Sequence, residues 1–199
     1  MTERGLSLDH TTIYRWVQRY APEIDKRCRP YLKQTNDSWR VDETYVKVRG
    51  QWMYLYRAVD STGQTLDFLL NQTRRTRAAK RFFRKVLGRP NIIPPRVINV
   101  DKNGCYIGAV RDLKRDKLLP EKCKRRPSRY MNNMVEQDHR FMKRRIKPGL
   151  GFGSYPTAWR TIQGYETMHM IRKGQIRKVE KGNIQAQNQF IAGLFGLVM

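Results

Sequence analysis

The stretch from Ser38 to Asp60 constrains the fold of this chain more than any other part of its sequence. Aromatic and β-branched residues alternate with polar ones on either side of an Arg-Gly-Gln turn at residues 49–51. Alternation with a period of two is typical of β-strands, and a glycine-containing turn between two such runs indicates a hairpin. We therefore predict two antiparallel strands joined by a tight turn.

Asp42 lies inside the first predicted strand and is followed directly by Glu43. A buried carboxylate costs free energy unless a partner compensates its charge, and a metal ion is one such partner. Backbone amides at a strand end, or one of the many arginines, would also serve. Because successive strand residues point to opposite faces, we expect only one of the two carboxylates to face a given site.

The elements that follow the hairpin predict a mixed α/β arrangement. A third strand over 64–72 completes an antiparallel meander, and an amphipathic helix is predicted over 74–87. A short strand over 96–101 then ends at Asp101. A strand after a crossover helix is usually added to the sheet in parallel, and functional groups of such sheets lie at C-terminal strand ends. Asp101 is therefore a candidate site residue.

Four further helices are predicted, over about 104–119, 132–147, 157–173 and 183–199. The second of these places Glu136, Arg140 and Lys143 on one face, because seven residues make nearly two full turns. Asp42, Asp101 and Glu136 thus stand in three separate elements. Oxygen ligands suit Mg²⁺, and three converging carboxylates can hold two ions that act on the attacking and leaving oxygens at a phosphorus atom.

The charge balance indicates a polyanionic partner. There are 41 Lys and Arg residues against 17 Asp and Glu, giving a formal net charge of +24, and residues 111–129 form a basic patch. Nucleic acid is the common partner of so basic a chain, since binding releases condensed counterions. We expect no membrane span, because no run approaches about 20 apolar residues, and no signal peptide. The three cysteines are widely spaced, which indicates a reducing cytoplasm.

Residues 1–22 are similar to part of a helix-turn-helix DNA-binding unit. Apolar residues at helical spacing predict its buried stripe: Ile13, Trp16, Val17 and Tyr20. The outer face that could contact DNA would carry Arg15, Gln18 and Arg19. A helix-turn-helix needs an earlier helix, so a plain N-terminal helix on the main domain is an equal alternative. A linker framed by prolines is predicted over 23–37.

A set of local motifs extends over most of the chain: residues 39–45 (WRVDETY), 100–102 (VDK) with Tyr106, 130–140 (YMNNMVEQDHR), 143–145 (KRR), 151–153 (GFG) and 159–166 (WRTIQGYE). In this combination the chain resembles the DDE transposases of bacterial insertion sequences, within the retroviral-integrase-like superfamily. More narrowly, it is similar to the small transposases that form cointegrates by replicative transposition. Members of that group usually carry a longer N-terminal DNA-binding module.

This resemblance implies a ribonuclease H-like α/β fold over 38–149. Its mixed five-stranded sheet would combine the antiparallel meander with parallel strands and be flanked by helices. Helices over 150–199 would pack on this core or on a second subunit. The metal ligands would be Asp42, Asp101 and Glu136, holding two Mg²⁺ or Mn²⁺ ions. Lys143 matches the basic position near the transferred DNA end. Further DNA or supporting contacts are expected from Asn132, Asn133, Arg140 and Arg144.

The function implied by the resemblance is transposition. The enzyme would hydrolyse the phosphodiester at the ends of an insertion sequence and transfer the freed 3′-OH into target DNA. Partners would be the terminal repeats, target DNA and further copies of the chain, in the bacterial cytoplasm at the nucleoid. A nuclease of the same fold that cuts without joining is one alternative. A non-enzymatic basic nucleic-acid-binding protein is another, and it explains the charge but leaves the three acids unexplained.

Overall fold

The computed structural model describes residues 8–101, 103–127 and 133–197. The chain divides into two compact units. The sheet unit consists of Lys33–Phe152, and the helical unit combines the described residues of Met1–Leu32 and Gly153–Met199.

A single five-stranded sheet organises the sheet unit. Its strands are β1 (Ser38–Val48), β2 (Gln51–Asp60), β3 (Thr65–Asn71), β4 (Val97–Val100) and β5 (Lys124–Pro127). The spatial order is β3-β2-β1-β4-β5. β1, β2 and β3 form an antiparallel meander, while β4 pairs in parallel with both β1 and β5. The predicted mixed sheet is therefore confirmed.

Three helices accompany the sheet: α2 (Thr76–Leu87), α3 (Gly104–Arg115) and α4 (Asn133–Ile146). Phe82 and Phe83 of α2 and Tyr106 of α3 are fully buried and form ring contacts around Tyr56 of β2. Each buried side chain of this size contributes about 1.5–3 kcal/mol or more to folding. This aromatic core fixes α2 and α3 against the sheet.

One edge of β1 is left open because β4 is only four residues long. β4 pairs with Ser38, Trp39 and Arg40 alone. In the described part of the sheet unit, β1 next acquires a partner on this side at Phe152, whose N–H donates to the Lys47 carbonyl at 2.9 Å. The middle of β1 thus borders a gap in the sheet, and Asp42 lies in that stretch.

The helical unit contains α1 (His10–Cys28), α5 (Tyr155–Arg172) and α6 (Ile184–Leu194). α1 continues through Pro22 into the segment predicted as a linker. The reason is tertiary: Asp25 is buried and accepts hydrogen bonds from Gln163 and Thr167 of α5, at 2.8 and 3.0 Å. These contacts offset the backbone hydrogen bond that proline removes.

The predicted orientation of α1 is wrong in two respects. Trp16 and Tyr20 are exposed by 48% and 40%, while the buried face is Ala21, Asp25 and Cys28. Gln18, expected on the outer face, instead donates from Nε2 to Thr161 Oγ1 of α5 at 2.8 Å. The face of α1 that packs on α5 combines the polar pairs of Gln18 and Asp25 with Cys28, which lies in an apolar cluster with Met170 and Ile171 of α5. None of the described helices is long and apolar enough to cross a membrane.

Candidate active site

Two of the predicted acids converge at the gap beside β1. Arg40 of β1 is in register with Asn99 of β4, so the same register carried two residues further sets Asp101 beside Asp42. Asp42, Glu43 and Asp101 each offer a carboxylate oxygen, and these three atoms lie within 4.8 Å of one another. Oxygen donors grouped in this way are the ligand type that Mg²⁺ and Mn²⁺ prefer. The donor set therefore fits a divalent ion.

Glu43 belongs to this cluster, so the expectation that only one of the two neighbouring carboxylates would serve the site is wrong. Asp42 contacts His139 of α4, whereas Glu43 contacts Tyr106 of α3, as opposite strand faces require. Both reach the same point because Asp101 lies beyond the end of β4, at the open edge of β1, where side chains from either face can approach. The adjacent Asp-Glu pair was the available sequence signal.

A buried network holds Glu43. The Tyr106 hydroxyl donates to one oxygen of Glu43, and the Arg74 guanidinium forms ion pairs with Glu43 and with Asp101. Burial raises the pKa of Glu43 to about 7, against the lowering effects of the Tyr106 hydrogen bond and the Arg74 charge. Burial, followed by the nearby Glu43 charge, raises the pKa of Tyr106 well above its ordinary value. The phenol therefore keeps its proton and remains a donor.

Asp101 is positioned by the turn that leads into α3. The Asn103 backbone N–H donates to Asp101 Oδ1 at 3.0 Å, and the Asn103 side chain caps α3 by accepting from the Cys105 N–H at 3.0 Å. The side chains of Asp42 and Asp101 are 21% and 34% exposed, against 3% for Glu43. Asp42 and Asp101 are thus open to an incoming ligand, and Glu43 is enclosed behind them.

The third predicted acid, Glu136, lies in the first turn of α4 and is exposed. Among the residues that the structure describes, it is not part of the three-carboxylate cluster. One turn further along α4, His139 is buried with Nε2 at 3.5 Å from Asp42 Oδ2. Residues three apart are neighbours on a helix surface. Glu136 therefore belongs to the helix that packs beside Asp42.

An ion pair ties α4 to the sheet. Asp138 Oδ2 lies 3.2 Å from Nη2 of Arg57, a fully buried residue of β2. Asp138 is therefore half-buried where α4 meets β2. No periodicity in the sequence marks Arg57 as its partner, since the two are 81 positions apart.

The predicted DNA-contacting residues of α4 lie at the surface. Those that the structure describes are exposed: Asn133, Arg140, Lys143 and Arg144. Asn132 lies outside the described residues. In the helical unit, Arg15 and Arg19 are exposed on α1, while Gln18 is held by α5.

Comparison with solved structures identifies the fold. The BIV integrase catalytic core domain matches 80% of this chain and 98% of its own length, with a TM-score of 0.51 and 11% identity. A chain of the simian T-cell lymphotropic virus intasome, solved in complex with the PP2A regulatory subunit B56 gamma, matches over 77% of this chain and 55% of its own length, with a TM-score of 0.54 and 12% identity. The architecture is the ribonuclease H-like fold of integrase catalytic cores.

Comparison of sequences identifies the family. The sequence profile described as the DDE domain matches residues 36–175. The transposase for insertion sequence-like element IS431mec of Staphylococcus aureus is 35% identical over 184 residues, which cover 90% of this chain and 78% of that protein. The chain therefore belongs to the DDE transposases of bacterial insertion sequences.

The family defines the activity: this chain is a DNA-cleaving and DNA-joining enzyme that acts by phosphodiester hydrolysis and transesterification. Enzymes of this kind depend on a divalent metal ion, and acidic side chains that suit one are present. The predicted family, fold and function are confirmed, and the non-enzymatic alternative is set aside.

Proposed function

We propose that Asp42, Asp101 and Glu136 bind two Mg²⁺ ions at the DNA phosphate that the transposase cleaves and joins. The observation that carries this proposal is the convergence of the Asp42, Glu43 and Asp101 oxygens within 4.8 Å. Asp42 and Asp101 are the accessible members of that cluster, which suits an ion shared with a phosphate. When bound, the ions would activate the attacking oxygen and stabilise the leaving oxygen of an in-line displacement.

Glu136 is proposed as the third ligand because of the helix that carries it. α4 brings His139 against Asp42, and Glu136 precedes His139 by one turn. The Arg57–Asp138 ion pair anchors that turn of α4 to β2. We therefore propose that Glu136 completes the ligand set from α4 when the metal ions and DNA are bound.

Glu43 is proposed as a positioning residue. Its carboxylate is 3% exposed and engaged by Tyr106 and Arg74, so it is poorly placed to exchange with water or DNA. Through Arg74 it is linked to Asp101. Glu43 thus holds the guanidinium that orients Asp101.

The reaction is proposed to follow two displacements at phosphorus. Water first attacks the phosphodiester at the element end, the bond to the 3′ oxygen breaks, and that oxygen leaves as a 3′-OH. The 3′-OH then attacks a target phosphodiester, whose own 3′ oxygen leaves with a proton. On α4, the exposed cations Arg140, Lys143 and Arg144 would neutralise phosphates of the bound strands. On α1, Arg15 and Arg19 would contact DNA outside the site.

Two element ends must meet for both strands to be joined to one target. We therefore propose a dimer or higher homo-oligomer, formed on DNA at the nucleoid. The net charge of +24 supports assembly on DNA, since it opposes self-association of free chains.

A strand-joining assay tests this function. The purified chain would be given a duplex that ends in the element's terminal repeat, a target duplex and Mg²⁺. Asp42→Asn, Asp101→Asn and Glu136→Gln should each reduce joined product by more than about 100-fold, because even outer-sphere partners of metal ligands cost about 10–100-fold.

Asp112→Asn is the matched control, since Asp112 lies on α3 and its ion pairs among the described residues are long ones to Arg111 and Arg115, at 3.6 and 3.7 Å. Undiminished joining by Glu136→Gln would remove Glu136 from the ligand set. Cleaved but never joined DNA would favour the nuclease of the same fold.

A further inference from the structure

His139 is a polar residue on the buried face of α4. The buried residues of this helix are Val135, His139 and Met142, and their spacing of four and three places them in one stripe that faces the sheet. His139 is 4% exposed, and its two neighbours in the stripe are apolar and fully buried. Burial of an imidazole costs free energy unless it meets a polar group, so its place in this stripe needs a physical reason.

Asp42 of β1 is a polar neighbour that supplies this reason. His139 Nε2 lies 3.5 Å from Asp42 Oδ2, and the two side chains are 5% and 21% exposed. Thr44 and Val46, which follow Asp42 on the same face of β1, are buried. The imidazole therefore contacts Asp42 from the enclosed side of the strand, and the rest of the carboxylate remains open to the acidic cluster.

His139 stands outside the acidic cluster itself. Among the described residues, the groups whose ligand atoms lie within 4.8 Å of one another are those of Asp42, Glu43 and Asp101, and the imidazole is not one of them. Mg²⁺ also prefers oxygen ligands to nitrogen. Carboxylates that bind a metal ion are usually held in turn by hydrogen-bond donors around them. The imidazole is placed to act as such a donor.

We propose that His139 is a positioning residue for Asp42, whose Nε2–H holds one carboxylate oxygen so that the other is directed at the metal ion. This inference deepens the proposed function and rests on it, because the orientation of Asp42 matters only if Asp42 is a ligand. Holding the side chain in advance lowers the entropy that is lost when the ion binds. His139 and Glu136 share α4, so the same contact also fixes the helix that carries the third proposed ligand.

Metal binding without DNA tests this role. Mn²⁺ alone is the probe, because its electron paramagnetic resonance signal reports the free ion during a titration and no reaction takes place. His139→Leu and His139→Phe both remove the N–H donor and place an apolar side chain in the stripe of Val135 and Met142. Each should raise the Kd for Mn²⁺ by about 10- to 100-fold, the usual effect of removing a group that holds a metal ligand.

A conservative variant separates positioning from packing. His139→Gln keeps an N–H donor on a side chain of similar reach, so it should bind Mn²⁺ nearly as tightly as the parent chain. Met142→Leu is the matched control, because it alters the same buried stripe at nearly constant volume and should leave the Kd unchanged. Thermal unfolding in EDTA identifies the variants that remain folded, and the Kd values of those variants are compared.

An unchanged Kd in a folded variant that lacks the donor would overturn the proposal. Failure of His139→Gln to restore the affinity that His139→Leu loses would also overturn it, because packing alone would then explain the loss. If the parent chain bound no Mn²⁺, the proposed metal site would fail together with this inference. If the parent bound Mn²⁺ and His139→Leu bound it equally well, this inference alone would fail.

Discussion

The ion pair between Arg57 and Asp138 predicts a large loss of stability when one partner is removed. Arg57 is fully buried, the Asp138 side chain is 13% exposed, and Nη2 lies 3.2 Å from Oδ2. For unit charges at this distance, an effective dielectric constant of about 20 gives an attraction of about 5 kcal/mol. Desolvation offsets much of that attraction in the intact pair, but a single deletion leaves the desolvated guanidinium without this carboxylate.

We expect Asp138→Leu to lower the free energy of unfolding by about 3–5 kcal/mol, a large share of the roughly 5–15 kcal/mol of a typical domain. The double variant Arg57→Met/Asp138→Leu removes both charges and should be less destabilised than Asp138→Leu alone. Urea unfolding measures both, and Trp39 is a suitable fluorescent reporter because it is fully buried in β1.

Two results would refute this reasoning. One is a loss of unfolding free energy below about 1 kcal/mol in Asp138→Leu, because a loss that small is typical of an exposed ion pair. The other is a double variant whose loss equals the sum of the two single losses, because independent sites add and coupled charges do not. The control is Asp37→Leu, which removes a carboxylate that is 45% exposed and 3.2 Å from Arg96. It should cost less than about 1 kcal/mol.

Three further predictions concern other parts of the chain. Gly151→Ala should lower the free energy of unfolding, measured in urea, by about 3 kcal/mol, and Gly50→Ala should lower it by about 1 kcal/mol. Both glycines have positive φ, but of the two only Gly151 would bring an added Cβ against a backbone carbonyl, that of Lys47, at 2.6 Å. Equal losses of unfolding free energy in the two variants would contradict a clash between residue 151 and the Lys47 carbonyl. Mg²⁺ at about 100 times its Kd should raise the free energy of unfolding of the parent chain by about 3 kcal/mol, measured by thermal unfolding. It should leave the stability of the double variant Asp42→Asn/Asp101→Asn unchanged. Equal stabilisation of parent and variant would show that the ion binds elsewhere. Burial raises the pKa of Cys28 to about 12 and that of Cys105 to about 11, and it also raises the pKa of Cys123. A thiol reagent at pH 8 should therefore leave all three unreacted until urea unfolds the chain, whereas rapid labelling of the native protein would disprove their enclosure.

The meander could be predicted closely because its signals are local. Alternation and a glycine turn specify β1 and β2, and the third strand observed over Thr65–Asn71 lies within the range predicted from the sequence. β5 is different. Its residues Lys124–Pro127 lie in the basic patch and are mostly exposed, so no apolar alternation marks them as a strand. Such an edge strand forms only because β4 offers a free parallel neighbour.

The candidate site could be predicted in part. Asp42 and Asp101 follow from strand position and motif context, but the participation of Glu43 depends on where β4 stops relative to β1. That end point is a property of the assembled sheet. The same holds for α1, where Pro22 and the apolar spacing favour a shorter helix turned another way, and contacts of Gln18 and Asp25 with α5 decide the outcome.

Arg74 gives the acidic cluster a counter-ion that belongs to the chain itself. Carboxylates held close together repel one another when no cation lies between them. The guanidinium of Arg74, paired with both Glu43 and Asp101, relieves that repulsion in the free protein. Small zinc domains, by contrast, fold only around their metal ion. We therefore expect this enzyme to fold and persist in cells depleted of free magnesium, so that metal supply controls when it acts on DNA without controlling how much folded enzyme is present.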